Sequence, residues 1–218
     1  GFKGPIYATG ATIGLCRISL PDSGRLQEEE ARHRNKNQLS KHNPALPLYT
    51  EKDAYQVLKQ MVRVPYETLH PLPGKAQFRY FPAGHILGSA FAEIYFENGE
   101  RILMGGDLGR YNTPIIKDPT TIDFAEYLVV ESTYGDRVHS DENVQDKLER
   151  IMTETFRNSG VLLVPTFSIG RTQELLYHIH LLQDAGRIPR LPIFIDSPMA
   201  ASATELYKSA YEEHDEDM

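Results

Sequence analysis

The sequence predicts an α/β protein. Two stretches carry that expectation. Residues 77–107 read as short strands that turn at Asn98-Gly99, the pattern of an antiparallel hairpin. From about residue 140 helical and strand-like segments alternate, the pattern of a parallel sheet covered by helices. Composition agrees: 218 residues, 40% hydrophobic and 24% charged, describe a globular rather than a disordered chain. No run approaches the about 18 consecutive apolar residues of a membrane span, and the opening residues do not read as a signal peptide. With 23 basic and 30 acidic residues the net charge is -7, which gives no global attraction for nucleic acid. Any nucleic-acid role needs a local basic groove or a metal ion. The one cysteine, Cys16, excludes an internal disulfide framework and a Cys-rich zinc site, and points to a reducing, cytoplasmic setting.

Taken in order, Gly1-Phe2-Lys3-Gly4-Pro5 reads as a turn feeding a strand at Ile6-Tyr7-Ala8, as if in mid-domain. The chain is expected to be an internal piece of a longer protein. Residues 25–43 mix charges at helical spacing and predict an exposed helix or mobile loop. Thr50 with Asp53 three residues on is a helix start, and Ala54, Val57, Leu58 and Met61 continue it toward Pro65. Gln77–Tyr80, Phe91–Phe96 and Arg101–Met104 are strands, with Asn98-Gly99 supplying the positive φ of a tight turn. Tyr127–Val130 reads as a buried strand ending at Glu131. Helices follow over 141–158, 170–185 and 200–211, separated by strands at Val161–Val164, buried on both faces, and Ile193–Ile195. The acidic run over 212–217 reads as a solvated end.

Several residues could carry chemistry. His85 lies between glycines in Gly84-His85-Ile86-Leu87-Gly88, where the backbone can turn sharply. Asp107 follows a strand in Gly106-Asp107-Leu108-Gly109. Imidazole nitrogen and carboxylate oxygen are both zinc donors. Glu131 ends an apolar strand, where a carboxylate needs a partner and could hold a histidine protonated as a general acid. Ser168 and Arg171 sit where a strand runs into a helix start, a place that favours an anion such as phosphate. Ser197, in Asp196-Ser197-Pro198-Met199, sits at a second strand-to-helix junction and is expected to face the same crevice as Ser168. Each residue alone also fits a structural role: a turn, a helix cap or a local ion pair. His139, in a polar stretch, reads as solvated.

Together and in this order, Ile6-Tyr7-Ala8-Thr9, Tyr49-Thr50, Gly84 to Ser89, Gly106 to Gly109, Glu131-Ser132-Thr133-Tyr134-Gly135, Phe167 to Gln173 and Asp196 to Met199 resemble the β-CASP branch of the metallo-β-lactamase superfamily. That branch contains RNA-processing nucleases, and the Glu131 and Asp196 segments look closer to the mRNA 3′-end endonuclease group than to ribonuclease J. The resemblance covers nearly the whole chain. It implies a partial αββα sandwich over residues 1–133, without its first strands, and a partial parallel α/β β-CASP domain over 134–218.

The resemblance also implies roles. His85 matches a zinc-ligating histidine, and Asp107 the carboxylate that bridges two zinc ions. Glu131 matches the acid that partners a downstream histidine near the scissile phosphate. Ser168, Arg171 and Ser197 match the wall of a cleft for single-stranded RNA. The implied reaction is zinc-dependent phosphodiester hydrolysis. The family's His-x-His-x-Asp-His cluster is absent here, and so are two later histidines. With two of about seven ligands, the isolated chain is expected to be inactive and to bind metal weakly. Alternatives are a non-catalytic scaffold or RNA-binding relative, a β-CASP nuclease acting on DNA, and a smaller metallo-β-lactamase hydrolase of thioesters or lactams. Exposed sheet edges predict a homo-oligomer, or disorder within 25–45. No membrane partner is expected.

Overall fold

A mixed sheet lies at the centre of the computed structural model, which describes residues 1–138 and 142–215. His139 and the last acidic residues, Glu216 and Asp217, lie outside the described residues. The α/β class is as the sequence predicts.

Strand β1 (Ile6–Ala8) feeds helix α1 (Gly10–Lys36), which is capped by Thr9 and continues through Pro21. Its last third is the charge-rich segment expected to be helix or loop, so it is helix to Lys36. Helix α2 (Glu51–Leu58) starts at the Thr50–Asp53 capping box, with each side chain bonded to the other residue's amide. It stops at Leu58 rather than at Pro65. Met61 belongs instead to β2 (Met61–Arg63), which pairs in parallel with β1. The β1 ladder takes over the backbone groups that a longer helix would have used.

The main sheet has the order β3-β4-β5-β6-β7, formed by His70–Pro71, Gln77–Pro82, Ala90–Tyr95, Arg101–Met104 and Tyr127–Val129. The hairpin around Asn98-Gly99 is present, with Ile94 opposite Ile102. β4 and β6 each run antiparallel to β5, and β7 runs parallel to β6. So β4, β6 and β7 all point the same way. Phe81, Ala83, Phe91 and Leu103 form the core on one sheet face. The same face also holds Glu93, only 1% exposed, bonded to Arg79, Arg101 and Tyr95.

Residues 142–215 contribute α3 (Val144–Arg157), α4 (Arg171–Asp184) and α5 (Pro198–Ser209). Met152, Ile179, Leu182 and Ile188 pack α3 against α4. Helix α5 instead joins the first half of the chain. Ala203 and Tyr207 pack with Ala11 and Leu15 of α1 and with Leu87, Ile115 and Ile116. A core therefore crosses residue 134.

The two expected inner strands are the main correction. Val161–Val164 and Ile193–Ile195 carry no β ladder among the described residues, and both are exposed, Leu163 at 87% and Phe194 at 88%. Tyr127–Val129 is a strand, yet all three residues are exposed and it forms the edge of the sheet. The physical reason is shared. A strand buried on both faces needs neighbours for its amides and a layer on each side; the two inner segments have neither, and Tyr127–Val129 has a neighbour on one side only.

Candidate active site

Strand direction builds the site. His85 follows β4, Asp107 follows β6 and Glu131 follows β7, at the ends of the three strands that point one way. Their side chains therefore emerge along one edge of the sheet, where α/β folds place ligands.

The loop carrying His85 is tightly fixed. The Ser89 hydroxyl accepts hydrogen bonds from the His85 amide at 3.0 Å and the Ile86 amide at 3.2 Å. Gly88 takes φ +78°, and its carbonyl accepts from the Thr9 and Thr12 hydroxyls, each at 2.8 Å. A Cβ at Gly88 would stand 2.4 Å from the Thr12 amide, so glycine is required there. The Asp107 loop crosses this one closely. The Gly109 amide donates to the Ala83 carbonyl at 2.9 Å, and a Cβ on Gly109 would overlap the Gly84 carbonyl.

The crossing brings His85 Nε2 to 3.7 Å from Asp107 Oδ2. Both side chains remain open to solvent, at 43% and 74%. Glu131 Oε1 accepts from the Leu108 amide at 2.9 Å, beside Asp107. Bonds from Thr133, then the Leu108 amide, hold the Glu131 carboxyl below the usual carboxylate range, and His85 adds a smaller pull. One imidazole and two carboxylates thus gather at one sheet edge.

The second expected group also comes together. Ser168 Oγ lies 3.2 Å from Ser197 Oγ, and Ser197 caps α5 by accepting from the Ala200 amide at 3.1 Å. The start of α4 meets the His85 loop: a Cβ on Gly170 would stand 3.0 Å from the Ile86 methyl. The Leu87 amide donates to the Tyr207 hydroxyl of α5 at 3.2 Å. Arg171 is exposed and paired with Glu174 on its own helix at 2.7 Å, which is its local ion-pair reading.

Gln173 is a structural residue that chemistry-led reading passes over. It is buried, accepts from the Gly170 amide at 2.8 Å, and donates to the Ser168 carbonyl at 3.1 Å and Thr204 Oγ1 at 3.0 Å. Its signal is the spacing to Gly170, the position that a capping-box side chain occupies.

Zinc is the metal the family pattern implies. Two donors at tetrahedral zinc, each at roughly 2.1 Å, stand about 3.4 Å apart. The 3.7 Å between His85 and Asp107 fits one edge of such a site. Among the described residues, no group of three His, Cys, Asp or Glu completes it. His85 and Asp107 are the two residues here that would hold one edge of such a site. Among the described residues no helix is long and apolar enough to cross a membrane.

Comparison with known proteins agrees with this geometry. Residues 172–218 match the Beta-Casp domain family. The chain is 34% identical over 209 residues to Ribonuclease TTHA0252 of Thermus thermophilus, covering 95% of this chain and 43% of that protein. It is 32% identical over 166 residues to an RNase J-like protein of Methanocaldococcus jannaschii, covering 74% and 39%. It is 29% identical over 221 residues to the transcription termination factor FttA of Pyrococcus abyssi, covering 98% and 31%. The chain spans less than half the length of each of these relatives. The sheet edge with its histidine and two carboxylates, the Ser168–Ser197 junction and these matches agree: the chain is a relative of the β-CASP nucleases of the metallo-β-lactamase superfamily.

Proposed function

We propose that the protein to which this chain belongs hydrolyses phosphodiester bonds in single-stranded RNA, with His85 and Asp107 among the ligands of two zinc ions. The observation that carries this reading is the meeting of His85, Asp107 and Glu131 at one sheet edge. When bound, zinc lowers the pKa of a water and neutralises charge on a phosphate. The chain's own residues do the rest. His85 and Asp107 hold the metal's position against the sheet. Glu131, kept ionised by its hydrogen bonds, is the acceptor that orients a proton donor at the leaving oxygen. Ser168 and Ser197 offer hydroxyls, and Arg171 a guanidinium, to the RNA backbone at the starts of α4 and α5.

Two ligands hold zinc weakly against water, so the 218-residue chain alone is inactive and nearly metal-free. The lone Cys16 supports a cytoplasmic setting. The exposed apolar segments at 161–164 and 193–195 support self-association of this chain through those faces. The test is zinc content and cleavage of single-stranded RNA and DNA by the chain and by the full-length protein. Full-length protein carrying His85→Ala or Asp107→Ala should lose at least about a hundredfold in RNA cleavage, with zinc lost in parallel. Unchanged cleavage in both variants, or two fully occupied zinc ions in the 218-residue chain, refutes the reading.

A further inference from the structure

The loop that presents His85 is held from beneath by residues with no place in the zinc or RNA chemistry. The turn Tyr211–Glu213 closes against it after α5. That turn is fixed independently of the loop. The Lys117 amide donates to the Glu213 carbonyl at 3.1 Å, the Asp215 amide to the Ile115 carbonyl at 3.1 Å, and Arg63 pairs with Glu212 at 2.8 Å. From this post the Glu213 carboxylate accepts from the Tyr66 hydroxyl at 2.9 Å and faces the Gly88 amide, whose N–H favours the ionised carboxyl. Tyr66 is itself tied to β4 by a bridge to Tyr80, and its hydroxyl lies 3.4 Å from the Ser89 carbonyl.

The Gly88 residue is therefore bonded at its carbonyl and flanked by a carboxylate at its amide. Glu213 faces its N–H, while Thr9 and Thr12 donate to its C=O. Next in the chain, the Ser89 hydroxyl fixes the amides of His85 and Ile86. Glu213, the Tyr66 hydroxyl and the Ser89 hydroxyl thus line the underside of the loop, up to the His85 amide. Placing a carboxylate in this half-buried spot is costly, because burial alone pushes its pKa up. A residue chosen for stability alone would be apolar there.

We infer that Glu213 is a positioning residue for His85, fixing the 84–89 loop through Gly88 and Tyr66 so that the imidazole meets Asp107. The inference rests on the nuclease reading for its purpose, though not for its geometry. The test compares Glu213→Ala, Glu213→Gln and Tyr66→Phe in the full-length protein by amide hydrogen exchange and by zinc binding. Glu213→Ala should speed exchange at residues 84–89 about tenfold, the loss of one hydrogen bond to a charged group, and leave the amides of α3 and α4 unchanged. Zinc affinity should fall by a similar factor. Glutamine keeps an acceptor oxygen, so Glu213→Gln should stay within about threefold of wild type on both measures.

Tyr66→Phe removes only the hydroxyl and should loosen the same amides to a smaller extent. It carries the test if the alanine variant does not fold. Equal acceleration of all amides, no change at 84–89, or a glutamine variant as impaired as alanine would each overturn the inference. A wild-type protein that neither binds zinc nor cleaves RNA would sink the nuclease reading instead, and the exchange data would still decide the positioning.

Discussion

Gly109→Ala tests how the two loops are held together. A Cβ at this position would lie 1.8 Å from the Gly84 carbonyl oxygen, 1.9 Å from its carbon and 2.5 Å from the His85 nitrogen. All three are backbone atoms, so no side chain can rotate out of the way. One loop must move by an ångström or more to restore contact near 3.4 Å. Overpacking of this kind costs about 1–3 kcal/mol. The 2.9 Å bond from the Gly109 amide to Ala83 is lost with it, adding about 1 kcal/mol. The sum is about 2–4 kcal/mol, a fall in melting temperature of about 5–15 °C for a chain of this size. Since the displaced atoms include the His85 backbone, zinc binding in the full-length protein should fall as well. Gly99→Ala is the control. It also strains the chain, at φ +89°, but meets nothing within 4 Å and lies in the distal hairpin turn. It should lower stability by about 1–2 kcal/mol and leave zinc binding alone. If Gly109→Ala melts with the wild type, the loop crossing is not what holds His85 against Asp107.

The remaining predictions concern the sheet, the caps, the apolar faces and pH. Arg79→Ala leaves Glu93 buried with the neutral Tyr95 hydroxyl and only the longer Arg101 contact as counter-charge and should cost about 3–5 kcal/mol, whereas Glu93→Gln leaves two arginines that can turn to water and should cost less; urea midpoints rank the two. Thr50→Ala removes the acceptor for the Asp53 amide and should cost about 1 kcal/mol, read as faster proteolysis between α1 and α2. Leu163→Lys with Phe194→Lys should shift the chain toward monomer in sedimentation, and unaltered association would place the contact elsewhere. For pH, burial raises the Glu213 carboxyl above its ordinary 4.5, against smaller opposing pulls from Tyr66, the Gly88 amide and Lys117, with Glu212 adding least. A raised carboxyl contributes stability that is full below its unfolded pKa and lost as pH rises through the folded one. Glu213→Gln cannot titrate, so it should gain on the wild type across that window and hold its gain at neutral pH.

Much of the site was legible because its signals are local. Asn98-Gly99 with flanking β-formers fixed the β5–β6 hairpin. Once that hairpin is drawn, β4 and β6 must point alike, and His85 and Asp107 fall at one edge. Ser168 and Ser197 were legible as helix starts, and their hydroxyls meet. Helix α1 was not legible before residue 25. Gly10, Gly14, Pro21 and Gly24 are poor helix formers, and the helix forms because its packing requires them. A Cβ at Gly24 would stand 2.7 Å from the Glu51 amide, so glycine there is what lets α2 dock. Local propensity points one way and tertiary contact the other, and only the second needs the fold. The strands at 161–164 and 193–195 failed in the opposite sense. Their β-propensity is high, but a ladder needs a partner, and no propensity supplies one.

The same contrast explains why Glu213 could not be found from spacing. In the sequence it belongs to an acidic run, and an acidic run reads as solvent-facing. Its neighbour Glu212 does face solvent, paired with Arg63. What separates the two is the 3-10 turn at Tyr211–Glu213, which reverses the chain after α5 and turns one carboxylate inward onto Gly88. The turn is fixed by Ile115 and Lys117, residues that lie between the Asp107 loop and β7. The segment following Asp107 thus anchors the turn that grips the loop of His85. The two sides of the metal edge are then coupled through backbone hydrogen bonds, and shifting either one moves the other. Glu213→Ala and Gly109→Ala attack this coupling from opposite ends of the His85 loop. If their effects on zinc affinity add, the two contacts act independently. If the double variant loses no more than the worse single one, the loops move as one body, which is the outcome the shared anchor requires.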